Sequence, residues 1–380
     1  VDLHIAEMFM LEQRVVDIGL KIGNNQGVWT ANLQSQQATG TVGWRTDTDG
    51  QPIKIDLQHL YIDKLEDAST TDGTGERTDP RKIPPVHIKA DKFVYNGNEL
   101  GKLSIETTPY DSGMTVNTIA LEFEDGWIRG FGDWRVQDNN HLTTMNMKLN
   151  SEELGKTMER FGYYGSVSGG YGTFEAKVHW MDTPMKFSLA GINGTAKMNL
   201  KKGQLLDINP GAGRLFGLLS LQALPRRLTL DFSDLFKKGF SFDKITGDFE
   251  IENGNAYTNN MEMDSSFANI NLYGRTGLAA RDYDQFVSVN AKVTASLPLA
   301  GVLLGGPVVG AAVLAIDKLL LAPGLEDATT REYTITGSWD DPKVEEIKDK
   351  EGKEAGGTIG DRPRSDPAPA PVQEGAAEDL

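Results

Sequence analysis

The chain is 380 residues long and acidic, with 54 Asp and Glu against 38 Lys and Arg, a formal net charge of -16 and a pI near 4.8. That balance argues against nucleic acid as a partner and supplies no polybasic patch for anionic lipid headgroups. With no cysteine there is neither a disulfide framework nor a thiolate metal site, and the length accommodates two or three domains or one large β unit.

The chain opens on VDLHIAEM, with neither an initiator Met nor a signal peptide, and is read as the C-terminal part of a longer protein whose anchoring segment lies upstream. Val1 to about Asp17 is compatible with a short strand or a helix. After Gly23-Asn24-Asn25 the text becomes short alternating runs separated by Gly, Asn and Asp, the pattern of antiparallel strands and hairpins. Trp29, Ala31 and Leu33 alternate with polar neighbours. Thr41 to Trp44 pairs with Ile53 to Leu57 across Asp49-Gly50. Asp67 to Pro85 reads as an exposed loop, and strands resume at Val86 to Ala90, Leu103 to Ile105, Ile119 to Phe123 and Trp127 to Gly132.

A helical signal follows at Asn150 to Leu154, with Ser151 as the cap, Leu154, Met158 and Phe161 on one face and Gly162 as the stop. Gly165 to Gly172 reads as a flexible turn. Strands return with Phe174, Ala176, Val178 and Trp180, then Phe187 and Leu189, then Ala196, Met198 and Leu200. A second apolar helix is predicted from Gly213 through Leu221, closing before Pro225, with a strand at Leu228 to Phe232. The alternation is clearest after Gly239. Ile245, Phe249 and Ile251 share a face, as do Tyr257, Met261 and Met263 across Asn253-Gly254, then Ile270 with Leu272 and Val287 with Val289.

Leu297 to Ile316, LPLAGVLLGGPVVGAAVLAI, carries no charge. Twenty residues is roughly the length of a membrane-crossing helix, but Pro298, Pro307 and four glycines disfavour a simple span. The stretch reads as a broken helix or helical hairpin turning near Gly305-Gly306-Pro307, sheltered against protein, lipid or both. A last strand runs from Tyr333 to Trp339. From about Asp349 the text is Gly, Pro, Ala, Glu and Asp, a composition that cannot bury enough apolar surface to order itself.

No reaction chemistry emerges. The five histidines fall in no metal-binding spacing, Gly169-Gly170-Tyr171-Gly172 lacks the Lys-Ser/Thr of a phosphate loop, and Asp340-Asp341 before Pro342 reads as a turn. A count of covers does carry an inference. More than a dozen strands each have one greasy and one wet face, while three stretches are helical, so helices cannot cover all the apolar sheet. Two solutions remain: a closed sandwich, or a long curled antiparallel sheet whose apolar concave face is an open groove.

GFSFDKITGDFEIENGNAYTNN from Gly239, the Leu297-Pro298 start and Gly306-Pro307-Val308-Val309-Gly310 centre of the apolar stretch, and YTITGSWDDP from Tyr333 to Pro342 resemble the C-terminal region of the AsmA-like, bridge-like lipid carriers of Gram-negative bacteria. GAGRLFGLLSLQALPRRLTLDF from Gly211 fits the same pattern, and the likeness is specific from about Pro184 to Pro342. It implies an N-terminal inner-membrane helix, a long repeating β-groove across the periplasm, a C-terminal end near the outer membrane, and phospholipid as cargo. No ATP site or other cofactor is needed for such passage, and no enzymatic activity is implied.

The resulting expectation is a mainly β protein: a long curled antiparallel sheet forming an open apolar groove, a few short helices, and a C-terminal apolar helical hairpin. Residues 1–183 are a β-groove segment, 184–347 the AsmA-like C-terminal region with its apolar element at 297–321, and 348–380 a disordered acidic tail. Phe249, Ile251, Tyr257, Met261, Met263, Ile270, Leu272, Val287 and Val289 are the candidate lipid-lining residues, with ordinary core packing as their alternative. Leu299, Val302, Leu303, Leu304, Val308, Val309, Val313 and Leu314 are expected to plug the groove or touch the outer membrane. The competing functions are a periplasmic scaffold for outer-membrane biogenesis with a closed β core, and a β-sandwich carbohydrate enzyme.

Overall fold

A computed structural model describes residues 1–10, 13–46, 50–62, 78–138, 140–206, 240–266, 268–292 and 330–347. The predicted second helix at 213–221, the strand at 228–232, the apolar element at 297–321 and the tail from 348 lie outside the described residues. Val1–Glu346 forms one compact unit, and a second begins at Ile347.

The first unit is built on an 18-stranded sheet. Its strands are β1 (Asp2–Met10), β2 (Gln13–Asn25), β3 (Val28–Gln34), β4 (Ala38–Arg45), β5 (Ile53–Ile62), β6 (Val86–Tyr95), β7 (Asn98–Tyr110), β8 (Gly113–Phe123) and β9 (Gly126–Gln137). There follow β10 (Asn140–Ser151), β11 (Val167–Trp180), β12 (Asn193–Leu205), β13 (Phe240–Glu252), β14 (Asn255–Asp264), β15 (Ala268–Gly277), β16 (Asp282–Ala291), β17 (Thr330–Ser338) and β18 (Pro342–Glu346). Each strand pairs with its successor, and period-two alternation gives each one buried and one exposed face. Tight turns at Asn96-Gly97 (φ 50° and 75°) and Asn253-Gly254 (φ 46° and 73°) close two hairpins, in the left-handed region that the Asn-Gly pair tolerates best.

The one α-helix among the described residues, α1 (Leu154–Arg160), joins β10 to β11. Its cap differs from the sequence expectation. Glu153 holds the N-cap position without a side-chain bond, while the Ser151 hydroxyl meets Thr157 Oγ1 at 2.8 Å. The helix is tied down by Arg160, which donates to Asp125 Oδ1 at 3.2 Å and lies over the Phe123 ring. Gly162, at φ 88°, ends it as predicted, and its N–H reaches Glu159 O at 2.9 Å.

The expected curled antiparallel sheet enclosing an open groove is overturned on several counts. The β5–β6 step is parallel, with Ile55 opposite Ile88 and Leu57 opposite Ala90. No pairing joins β1 to β18, so the sheet is not closed. Among the described residues the short helices beyond α1 are three 3-10 turns, in line with the few short helices expected, and none is long and apolar enough to cross a membrane, the expected apolar hairpin lying outside those residues. The physical reason is local: the connection from β5 starts β6 at the same end of the sheet as β5, so the two strands run side by side in the same direction. The Gly169–Gly172 tract is likewise strand rather than turn, paired through Tyr171 with Lys201 and through Gly172 with Leu200.

From β11 to β18 the apolar side chains form one core cluster. Ile245, Val287 and Ile335 are all 0% exposed. Truncating such a residue leaves a void that the sheet cannot refill, so Leu272→Ala is expected to lower stability by about 2–5 kcal/mol in urea unfolding. Burial also raises two phenols: Tyr333 stands at about 12, and Tyr283 is pushed up further still. A phenol kept neutral by folding stabilises fully below the ordinary tyrosine value of 10.0 and loses that contribution as the pH climbs to about 12. The urea midpoint is therefore expected to fall across that alkaline window, and Tyr333→Phe to flatten the fall.

Candidate functional site

Directly opposed residues on neighbouring strands point to the same face, so the register can be followed across the sheet as rows. One row begins at Ile22 and passes through Ala31, Val42, Ile55, Ile88 and Ile105. It continues through Ile119, Gly130, Met147, Ala176 and Ala196 to Phe249 on β13. Every member is apolar. The parallel row two residues away runs Leu20, Leu33, Gly40, Leu57, Ala90 and Leu103, then Leu121, Ile128, Leu149, Phe174, Met198 and Gly247. It too has no polar member.

Between these rows, on the opposite face, lies one that is polar at every position but Ala120. It holds Asp56, Lys89, Arg129, Lys148, Glu175, Lys197 and Asp248. Lys148 pairs with Glu175 at 2.6 Å and Lys197 with Asp248 at 3.1 Å. The Lys148 hydrogen bond holds the Glu175 carboxyl below its usual range, and bonds from Asn260 and then Lys197 do the same for Asp248. Exposed pairs of this kind add little stability, but they keep one face wet while the other is dry. At the usual spacing of about 4.8 Å between strands, the apolar rows span roughly 50 Å from β2 to β13.

The apolar face is not uniform. Leu33, Val42, Ile55, Ile88, Ile105, Ile119 and Ile128 are half-buried, whereas Met261, Met263, Leu272 and Val287 are sealed in the core. Near the N-terminal end Trp29 and Trp44 stack with ring centroids 6.1 Å apart and also remain half-buried. The 3-10 turn Pro80–Lys82 lies against β7, β8 and β9. Pro80 is fully buried, and Met114, Val116 and Trp134 on β8 and β9 are buried.

Of the candidate lining residues, Phe249, Ile251, Met261, Met263, Ile270, Leu272 and Val287 belong to the buried cluster and Val289 packs against it. Tyr257 lies apart. A register shift between Thr258 and Met261 changes the parity of β14, so Tyr257 opposes Glu250 and Arg275 while Ala256 joins the apolar face with Ile251. Leu299, Val302, Leu303, Leu304, Val308, Val309, Val313 and Leu314 lie outside the described residues. The half-buried residues of β2 to β9 were not singled out from sequence; their period-two alternation was visible, but which strands meet, and in what register, was not.

Nothing in this arrangement forms a reaction centre among the described residues. They contain no group of three or more metal-binding side chains. His141 is buried and accepts from Trp134 Nε1 at 2.9 Å. Asp341 N–H donates to Ser338 O at 3.2 Å in the β17–β18 turn, as expected of that acidic pair. Fold and site together define a β-sheet protein whose distinguishing surface is a continuous apolar face. The sequence matches the YhdP protein family over residues 1–344, and the chain belongs to that family. It is 28% identical over 329 residues, 84% of its length, to a protein of Escherichia coli (strain K12) described as the intermembrane phospholipid transporter YhdP. The chain spans 26% of that relative's length. No solved structure matches.

The rows predict an environment that a dye can read. Because the chain has no cysteine, Ile88→Cys and Lys89→Cys each give a single labelling site. A polarity-sensitive dye is expected to emit bluer at Cys in place of Ile88 than at the next residue, and equal spectra would contradict the alternation.

Proposed function

We propose that the protein is a non-enzymatic carrier of phospholipid between the inner and outer membranes of a Gram-negative bacterium, acyl chains moving over the apolar rows of β2 to β9, among whose members Ile55, Ile88, Ile105 and Ile119 are half-buried, while headgroups stay in water. The observation that carries this reading is the absence of any polar member in two adjacent rows crossing that many strands. Family membership and the description of the E. coli relative support it. Each methylene taken from water is worth about 0.8 kcal/mol, so an unbroken apolar row offers a hydrocarbon tail similar shelter at each strand, and no nucleotide is required. The periplasm, an inner-membrane anchor elsewhere in the whole protein and an outer-membrane contact at the C-terminal end belong to the same reading.

A second reading applies to β13 to β18. Their side chains are packed as tightly as an ordinary core, with Val287 and Ile335 wholly inaccessible, which favours a structural role in outer-membrane biogenesis for that sector. Charge placed there would test folding rather than passage. The informative pair is Ile88 and Ile105, opposed across β6 and β7 and both half-buried. Ile88→Asp with Ile105→Asp in the intact protein is expected to cut photo-cross-linking of phospholipid by about tenfold or more, because an ionised carboxylate is strongly disfavoured beside hydrocarbon. Lys89→Asp with Ser104→Asp, on the wet face, is expected to leave it unchanged. Unaltered cross-linking in a folded Ile88/Ile105 variant would remove the rows from the lipid path.

A further inference from the structure

The wet face changes character two residues along from its paired charges. Lys148, Glu175, Lys197 and Asp248 form ion pairs there, and Asn260 donates to Asp248 Oδ2 at 3.0 Å. The next row on the same face is Asn150, Thr173 and Asn199, directly opposed on β10, β11 and β12. It carries no charge. None of these three side chains is hydrogen-bonded to another described residue, so two carboxamides and a hydroxyl stand with donors and acceptors that the protein does not use.

With Glu152, Tyr171, Gly172 and Lys201 they line a cavity of about 320 Å³, at the small end of the roughly 300–1,000 Å³ that ligand sites occupy. Tyr171 lies opposite Lys201 and is 41% exposed. A methyl group at Gly172 would overlap the Asn199 carbonyl oxygen, so β11 and β12 lie close where they line the cavity. On β9, Trp127 stands opposite Asn150 with the Arg129 guanidinium 4.7 Å from its ring centre.

The lining narrows the ligand by elimination. No Leu, Ile, Val, Met or Phe contributes to it, so it offers a hydrocarbon tail no shelter. The described residues hold no group of three or more metal-binding side chains. One lysine is offset by one carboxylate, which suits a neutral ligand better than a strongly charged one. What fits is a partner rich in hydroxyl groups, because each hydroxyl donates and accepts as a carboxamide does. The exposed Tyr171 ring adds a flat platform for the C–H face of a sugar ring.

We propose that this cavity binds one sugar unit of a neutral oligosaccharide, Asn150, Thr173 and Asn199 meeting its hydroxyls and Tyr171 its ring face. The assignment stands apart from the lipid reading. The row that lines the cavity lies on the face opposite the apolar rows, so a glycan held there leaves those rows free. The competing ligand is an inorganic anion, since Lys201 is directly opposed by Lys244 on β13.

The test titrates the intact protein by calorimetry with maltotriose, cellotriose and N,N′,N″-triacetylchitotriose. At least one trisaccharide is expected to bind. Its affinity is expected to fall by about tenfold or more with Asn150→Ala plus Asn199→Ala, and by about threefold or more with Tyr171→Ala. Lys89→Ala, distant on the same face, is expected to leave it within about twofold. Thermal melts of each variant confirm folding, and Asn150→Ser plus Asn199→Ser takes the place of the double variant if that one unfolds. Binding of none of the three sugars would overturn the site, as would unchanged affinity in the folded double variant. Binding of inorganic phosphate that Lys201→Ala abolishes and that no trisaccharide displaces would make the cavity an anion site and overturn the sugar assignment.

Discussion

Parity is the constraint on which the sheet depends. In a strand each residue faces opposite to its neighbour, so a single slip would send every apolar side chain to the wet face. The chain changes parity several times without doing so, because the changes are aligned. On β12 the inward set switches from Ala196, Met198 and Leu200 to Gly203 and Leu205 around Lys202, whose φ is 52°. On β13 it switches at the same level, from Ile245 and beyond to Phe242 and Phe240, with Asp243 and Lys244 both exposed. On β11, Gly169 and Gly170 at φ 60° and 80° make the matching adjustment. Three neighbouring irregularities cancel, and Phe242 settles onto Gly203.

That alignment explains which parts of the molecule were legible in the sequence. Individual strands were, because apolar alternation is local: Trp29, Ala31 and Leu33 fall on one face as read, and Thr41 to Gly43 does pair with Lys54 to Asp56. Bulges were not, because Thr258 and Asn260 carry no mark that one of them breaks the count, and so Tyr257 was assigned to the wrong face. The parallel β5–β6 step was also hidden, since a loop rich in Thr, Asp and Gly reads the same whether it reverses the chain or carries it back. The resemblance is specific from about Pro184 onward, so it marks the C-terminal strands and carries no information on the partly exposed residues of β2 to β9.

Two sectors of one sheet thus have different physical states despite similar alternation. In β13 to β17 neighbouring inward residues are large and interlock, Met263 against Ile245 and Ile270, and Leu272 against Val287. The side chains lose access to any outside molecule and gain the density of a core. In β2 to β9 the inward residues are mixed: Ala31, Leu57, Ala90 and Leu121 are buried, while Leu33, Ile55, Ile88, Ile105 and Ile119 retain partial exposure. Soluble proteins seldom leave a contiguous apolar surface of that extent without something to meet it, and the opposite face, with its Lys148–Glu175 and Lys197–Asp248 pairs, is fully reconciled to water.

Movement along such a face without fuel requires that no position hold a hydrocarbon chain much more tightly than the next. Two rows without a polar member meet the first part of that condition, because a buried unpaired charge anywhere along them would impose a barrier far larger than a missing methylene. A fully sealed core fails it for the opposite reason, since entry would first have to separate packed side chains. On the proposed reading, the partly exposed members of β2 to β9, such as Ile88 and Ile105, lie between these limits.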